Sequence, residues 1–330
     1  MIGLYRRLLK NVRSVNGLNR VQIAIENALT PSLAWSLSPE VAPSPAIRFL
    51  SMIGPAPASQ TGMTVGEALF IAAEEWRERL MRQMALAGKS APEPFVPIRL
   101  RRDVLLFSDP GAKGPKRLLV VFAGGAKRPM MPIHAFLQHL SAATTDVLFL
   151  RDPSRDAFRG GLFGIGSTIE DVIDSLPDLL DLKRYEAVST LGTSAGGVAA
   201  LLAGFTLGAR GILSVGGHHP ERWDFRGEPL VKCLPDLRHG PGRHSRVLLM
   251  WGAQSLEDQP AAEATAALVG ATLLTVSHKD GPVRHGALFP LAQQRRLAHV
   301  LEALLSADTD ALALEVPSLS VSEVTVAHRG

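Results

Sequence analysis

The sequence predicts an α/β protein: a mostly parallel sheet covered by helices on both faces, preceded by an N-terminal helical extension. Three observations predict it. Short apolar runs of strand length recur at 104–107, 117–123, 146–150, 187–191, 211–215, 246–251 and 272–276. Helix-compatible segments fill the intervals near 131–141, 168–182, 195–208, 259–269 and 288–305. The runs are nearly continuous rather than alternating, which is what strands buried on both faces require.

Residues 1–97 have a different texture and read as a helical, proline-rich extension. Pro31, Pro39, Pro43, Pro45, Pro55 and Pro57 interrupt the chain before a helical stretch at 64–87. There Leu69, Ala73, Trp76, Leu80 and Met84 recur at helical spacing, and Glu75/Arg79 and Glu78/Arg82 are i,i+4 pairs. Gly88 marks its end, and Pro92, Pro94 and Pro97 form a linker into the α/β domain expected over 98–305. The helix at 168–182 opens on Ser167 and Glu170, a capping-box pattern. The tail 306–330 is polar. Its Leu319, Val321, Val324 and Val326 are compatible with an edge strand but do not by themselves assign one.

Composition narrows the function classes. The chain has 330 residues, 46% of them hydrophobic, enough to fill a large core. No apolar run approaches the roughly 18 residues of a membrane span. The basic start is followed by no apolar core or small-residue cleavage site, so a cytoplasmic location is expected. The lone Cys233 cannot form an internal disulfide. A net charge of +4 arises from interleaved residues, and aromatics make up only 5%, which argues against a nucleic-acid partner. His218, His219, His239 and His244 lack cysteine partners or a His-Glu-x-x-His arrangement, so no metal and no cofactor is expected.

The chemistry-bearing motif is Gly192-Thr193-Ser194-Ala195-Gly196. A Gly-x-Ser-x-Gly match means little alone, but this one follows the strand-like run 187–191 and opens the helix-compatible run 197–203. A serine held in a strained turn between strand and helix needs neighbours without bulky side chains. The helix N-terminus adds a dipole favourable to a developing anion.

Around this motif the strand–helix alternation of about 98–305 resembles the α/β-hydrolase superfamily. The resemblance implies a Ser194 nucleophile, an acid after the strand two βα units later, and a histidine after the last strand. Both places are occupied, by Asp258 and His285, giving the order Ser194, Asp258, His285. Glu257 is an alternative acid, because Asp258 lies further past its strand than the family aspartate usually does. His278 is an alternative base closer to the strand end. The serine needs a base, and the imidazole needs a carboxylate that fixes its tautomer.

The resemblance further implies an oxyanion hole made by the amide of Ala195 and one from the loop after 117–123, assigned to Gly125 within one position either way. The chain departs from the lipase-type His-Gly-Gly-Gly motif at this loop. The long connection 216–245 occupies a position that commonly holds a lid, a solvated loop being the alternative. Lys127, Arg128, Arg151, Arg155 and Arg159 fall in loops at the expected ligand-binding end, and read either as a sign of an anionic or polar small-molecule ester or acyl substrate or as surface charge partly offset by Asp152 and Asp156. Hydrolysis of an ester or thioester through an acyl-serine is the leading expectation. Acyl transfer on the same triad and a non-catalytic binding or scaffold role are the alternatives; sequence assigns neither a substrate nor an oligomeric state.

Overall fold

A computed structural model describes residues 93–279, 281–306 and 319–324, with residues 7, 8, 10–12, 17, 18 and 21. The chain divides into two compact units, 1–92 with 131–135, and 93–130 with 136–330. Apart from residues 133–135 of a short helix, everything below concerns the second. The helix expected at 64–87 lies outside the described residues, as does most of the extension.

The second unit is built on a nine-stranded, mostly parallel sheet. Its strands are β1 (Val96–Arg101), β2 (Val104–Ser108), β3 (Lys116–Phe122), β4 (Thr145–Leu150), β5 (Tyr185–Thr193), β6 (Gly211–Val215), β9 (Arg246–Gly252), β10 (Ala271–Val276) and β11 (Leu319–Val324). A two-stranded hairpin, β7 (Asp224–Phe225) and β8 (Glu228–Pro229), lies apart from the sheet. The order across the sheet is β1-β2-β4-β3-β5-β6-β9-β10-β11. From β4 to β10 every neighbour is parallel, whereas β1, β2 and β11 run antiparallel to theirs.

The helices are α1 (Ile133–Leu137), α2 (Ile169–Leu179), α3 (Gly196–Leu207), α4 (Leu230–His239), α5 (Asp258–Val269), α6 (Leu288–Gln293) and α7 (Leu297–Ser306). Alternate strand residues supply two cores. Leu118, Val120 and Phe122 of β3 join Ile173 of α2, Leu201 of α3, Leu234 of α4 and Ala266 of α5 in one cluster. The intervening Leu119 and Val121 are equally buried on the opposite face. There α7 approaches β5 and β6, with the Ser189 hydroxyl donating to the Leu304 carbonyl at 3.3 Å. Helix α3 is apolar on every side and buried from Gly196 to Phe205, as the central helix of such a stack must be. It ends at Gly208, whose left-handed φ of 66° suits a residue without a Cβ.

Several expectations are revised. Residues 96–101, read as part of the linker and the start of the domain, form the edge strand β1. Pro97 is tolerated there because an edge strand has one side without ladder partners. The helix at 131–141 shrinks to Ile133–Leu137. The single helix at 288–305 is two, α6 and α7, separated by a turn in which Arg295 has φ 61°. The capping box of α2 is shifted by one residue: Thr168 accepts from the Asp171 amide, and Asp171 accepts from the Thr168 amide. Glu170 instead accepts from the Arg226 amide at 2.7 Å. The tail residues Leu319–Val324 do form an edge strand, β11, paired with β10. The connection 216–245 is not a solvated loop: it folds as the hairpin and α4, and Trp223, Phe225, Leu230 and Leu234 enter the core. Among the described residues no helix is long and apolar enough to cross a membrane.

Candidate active site

The sheet order reverses at β3, which lies between β4 and β5, so the chain leaves this switch point in opposite directions and opens a crevice at the carboxyl ends of the strands. Ser194 stands on one lip of it. Its amide extends the β5–β6 ladder by donating to Val215 at 2.8 Å, and its carbonyl then accepts from Gly197 at 2.9 Å as α3 begins. Between these bonds Ser194 takes φ 52°, a conformation that costs a non-glycine residue energy.

The glycines of the motif are explained by close approach. A Cβ on Gly192 would meet the Gly196 carbonyl oxygen, and one on Gly196 would meet that of Phe122, in both cases at well under contact distance. Strand β5, helix α3 and strand β3 are therefore packed backbone to backbone beneath the serine. The other lip is the loop after β3. Its Gly124 donates to the Thr193 hydroxyl at 3.0 Å, and a Cβ on Gly124 would lie 3.2 Å from the Ser194 Cβ.

Asp258 and His285 are brought together. Asp258 is the first residue of α5, buried except for 7% of its surface, where the helix dipole favours a carboxylate. His285 Nδ1 lies 3.0 and 2.9 Å from the two carboxylate oxygens. A carboxylate only accepts, so Nδ1 donates and Nε2 is left with its lone pair. The Ser255 hydroxyl donates to Asp258 Oδ2 at 2.6 Å.

The loop carrying His285 is docked on the loop after β9. Gln254 and Val283 exchange hydrogen bonds of 2.9 and 2.7 Å, and Gly252 lacks the Cβ that would strike the Arg284 carbonyl. This docking brings His285 to Asp258, while Glu257 is the exposed N-cap residue of α5.

The pair's electrostatics are mutual. Hydrogen bonding to Asp258 raises the His285 pKa above 6.5, against the opposing effect of burial and with help from the charges of Asp258 and Glu257. Burial pushes the Asp258 carboxyl up, but the hydrogen bonds from His285 and Ser255 outweigh it and the net shift is downward.

A cleft of about 590 Å³ joins these groups, within the range of small-molecule sites. Ser194, Gly216, Gly217, His218, His219, Arg222, Glu257, Asp258, Pro260, Ala261 and His285 line it. Gly125 and Ala195 are not among its lining residues. Both are half-buried beside it in sequence, and among the described residues no acceptor meets either amide. Gly124, by contrast, has its amide occupied by Thr193. Of the loop cations singled out in the sequence, Lys127, Arg128, Arg151, Arg155 and Arg159, none lines the cleft; Arg128 and Arg151 are buried.

Sequence reasoning noted His218 and Arg222 as members of the long connection 216–245, and it gave Gly216 and Ser255 no role. Gly216 and Gly217 directly after the β6 run were the available signal, a paired glycine at a strand's carboxyl end. No family model matches the chain, and no curated protein matches it in sequence.

Proposed function

We propose that this chain is a serine hydrolase of the α/β-hydrolase type, cleaving an ester or thioester through an acyl-serine intermediate. The observation that carries the reading is the His285–Asp258 hydrogen bond at 2.9 Å in a cleft shared with Ser194, which sits at the strand–helix turn with φ 52°. Structural serines seldom combine a strained backbone, a neighbouring imidazole and an imidazole-bound carboxylate.

In this mechanism Nε2 of His285 takes the hydroxyl proton of Ser194 as Oγ bonds to the substrate carbonyl carbon. Asp258 stabilises the imidazolium that results. The carbonyl oxygen becomes an oxyanion and receives the amides of Ala195 and Gly125, the two that have no acceptor of their own among the described residues. The imidazolium proton passes to the departing alkoxide or thiolate, and the acyl–oxygen bond to Ser194 remains. Water then repeats the sequence, giving the acid and free Ser194.

Labelling with a fluorophosphonate tests the reading. Wild type should be modified at Ser194, and Ser194→Ala should lose both labelling and turnover of activated esters while keeping its thermal unfolding transition. Turnover retained in folded Ser194→Ala would overturn it. Product analysis with added alcohols or amines then separates hydrolysis from transfer.

A further inference from the structure

One wall of the cleft carries groups that acyl-serine chemistry does not use. His218, His219 and Arg222, from the chain following β6, line the cavity with Ser194 and His285. A single 3-10 turn, Pro220–Arg222, holds them: His219 accepts from the Arg222 amide at 3.1 Å, and the next residue, Trp223, is anchored in the core with 2% of its surface exposed. Arg159, from the loop after β4, caps that anchor. Its guanidinium carbon lies 4.6 Å from the centre of the Trp223 ring, and Nη2 donates to the Arg222 carbonyl at 2.6 Å. The turn is thus fixed at both ends.

Arg222 itself has no acidic partner among the described residues. The nearest carboxylate in sequence, Glu221, faces His219 instead, at 3.8 Å. The acids among the lining residues are Glu257 and Asp258, and Asp258 is already engaged by His285 and Ser255. Burial holds His218 below the ordinary histidine value, and the charges of Arg159, His285 and Arg222 act in the same direction. At neutral pH His218 is therefore an uncharged hydrogen-bonding group near the exposed Arg222 guanidinium.

We infer that Arg222, flanked by His218 and His219, forms an anion subsite of the cleft, and that the substrate carries a carboxylate or phosphate a few bonds from its scissile carbonyl. This rests on the cleft being the acyl-serine site. A planar guanidinium without a protein partner matches an oxyanion with two parallel hydrogen bonds, and a neutral imidazole adds a third without further charge.

The test uses the full-length protein with two matched ligand pairs. In turnover, 4-nitrophenyl hydrogen adipate is compared with 4-nitrophenyl hexanoate. Wild type should favour the anionic ester, and Arg222→Gln should lower its kcat/KM at least about tenfold more than that of the neutral ester, chiefly through KM, with partial recovery in Arg222→Lys. In binding, folded Ser194→Ala is titrated calorimetrically with monomethyl adipate and with methyl 6-hydroxyhexanoate. The anionic ligand should bind more tightly, and adding Arg222→Gln should remove the difference. Inorganic phosphate and acetate as competitors then tell a phosphate preference from a carboxylate one. Equal affinity for the two ligands, or an equal loss on both in Arg222→Gln, overturns the subsite. Labelling of Ser194 without such discrimination would leave the acyl-serine reading standing, whereas discrimination without labelling would leave the subsite and remove the serine mechanism.

Discussion

Gly216 lies against the His285 ring: a Cβ built on it would sit 2.9 Å from both Nδ1 and Cε1, and 3.1 Å from Asp258 Oδ2. Its φ of 56° is also one that L side chains rarely adopt. The residue is thus a seat for the imidazole–carboxylate pair. Gly216→Ala should displace the ring and lower kcat/KM about a hundredfold, the usual scale for a misplacement of about 1 Å. Steady-state kinetics on an activated ester measures this, and unchanged rates would mean that the ring is positioned by other contacts.

The raised His285 pKa gives the pH profile a direction. Because the base must be neutral to accept a proton, kcat/KM should rise with pH through one ionisation whose midpoint lies above 6.5. Asp258→Asn should depress the plateau by about 10⁴ and move the midpoint down. Glu257→Gln should shift the midpoint slightly downward and spare the plateau, since it acts only through its charge. Exchange of these two outcomes would make Glu257 the acid.

The same pair makes stability depend on pH within a defined window. His285, raised in the fold, contributes stability that is complete below 6.5 and is lost as pH climbs through its folded value. Asp258, depressed in the fold, contributes above 3.8 and loses that contribution as pH falls through its folded value. Both contributions are present between 3.8 and 6.5. Urea unfolding should accordingly find Asp258→Asn more destabilising at pH 5 than at pH 9. Because the His285 side chain is 50% exposed, solvent keeps the difference small.

Thr193 offers a test of the loop opposite the serine. Thr193→Val leaves the buried Gly124 amide without its acceptor, at a cost of about 1–3 kcal/mol. Thr193→Ser should restore most of it. Urea midpoints read the stability. Ester turnover should fall in parallel, because Gly124 adjoins the proposed oxyanion donor Gly125.

The strands of the parallel sheet were legible because their apolar runs have one reading in a doubly covered sheet. The serine turn was legible because only small residues fit between β3, β5 and α3. What escaped was set by tertiary docking. Strand β1 was hidden by Pro97, which argues against a strand everywhere except at an edge. The break between α6 and α7 has no glycine to announce it, since Arg295 supplies the left-handed residue. That His285 faces Asp258 could not be read from spacing alone, because it depends on Gln254 gripping Val283 across two loops. In the sequence Arg222 is one more charged residue in a long connection, and it takes the burial of Trp223 and the Arg159 bond to the Arg222 carbonyl to show that its turn is fixed.

The switch point at β3 has a kinetic consequence. Ser194 leaves β5, whereas Asp258 and His285 follow β9 and β10, and β6 must be laid down between them before the three can meet. No local segment of the chain contains a partial version of the site. During refolding, helices such as α3 can form early from nearby contacts, but activation of the proposed nucleophile must wait for the slow, long-range pairing of the parallel strands. Recovery of fluorophosphonate labelling should therefore lag behind recovery of helical circular dichroism, and the lag times the closing of β6 onto β9.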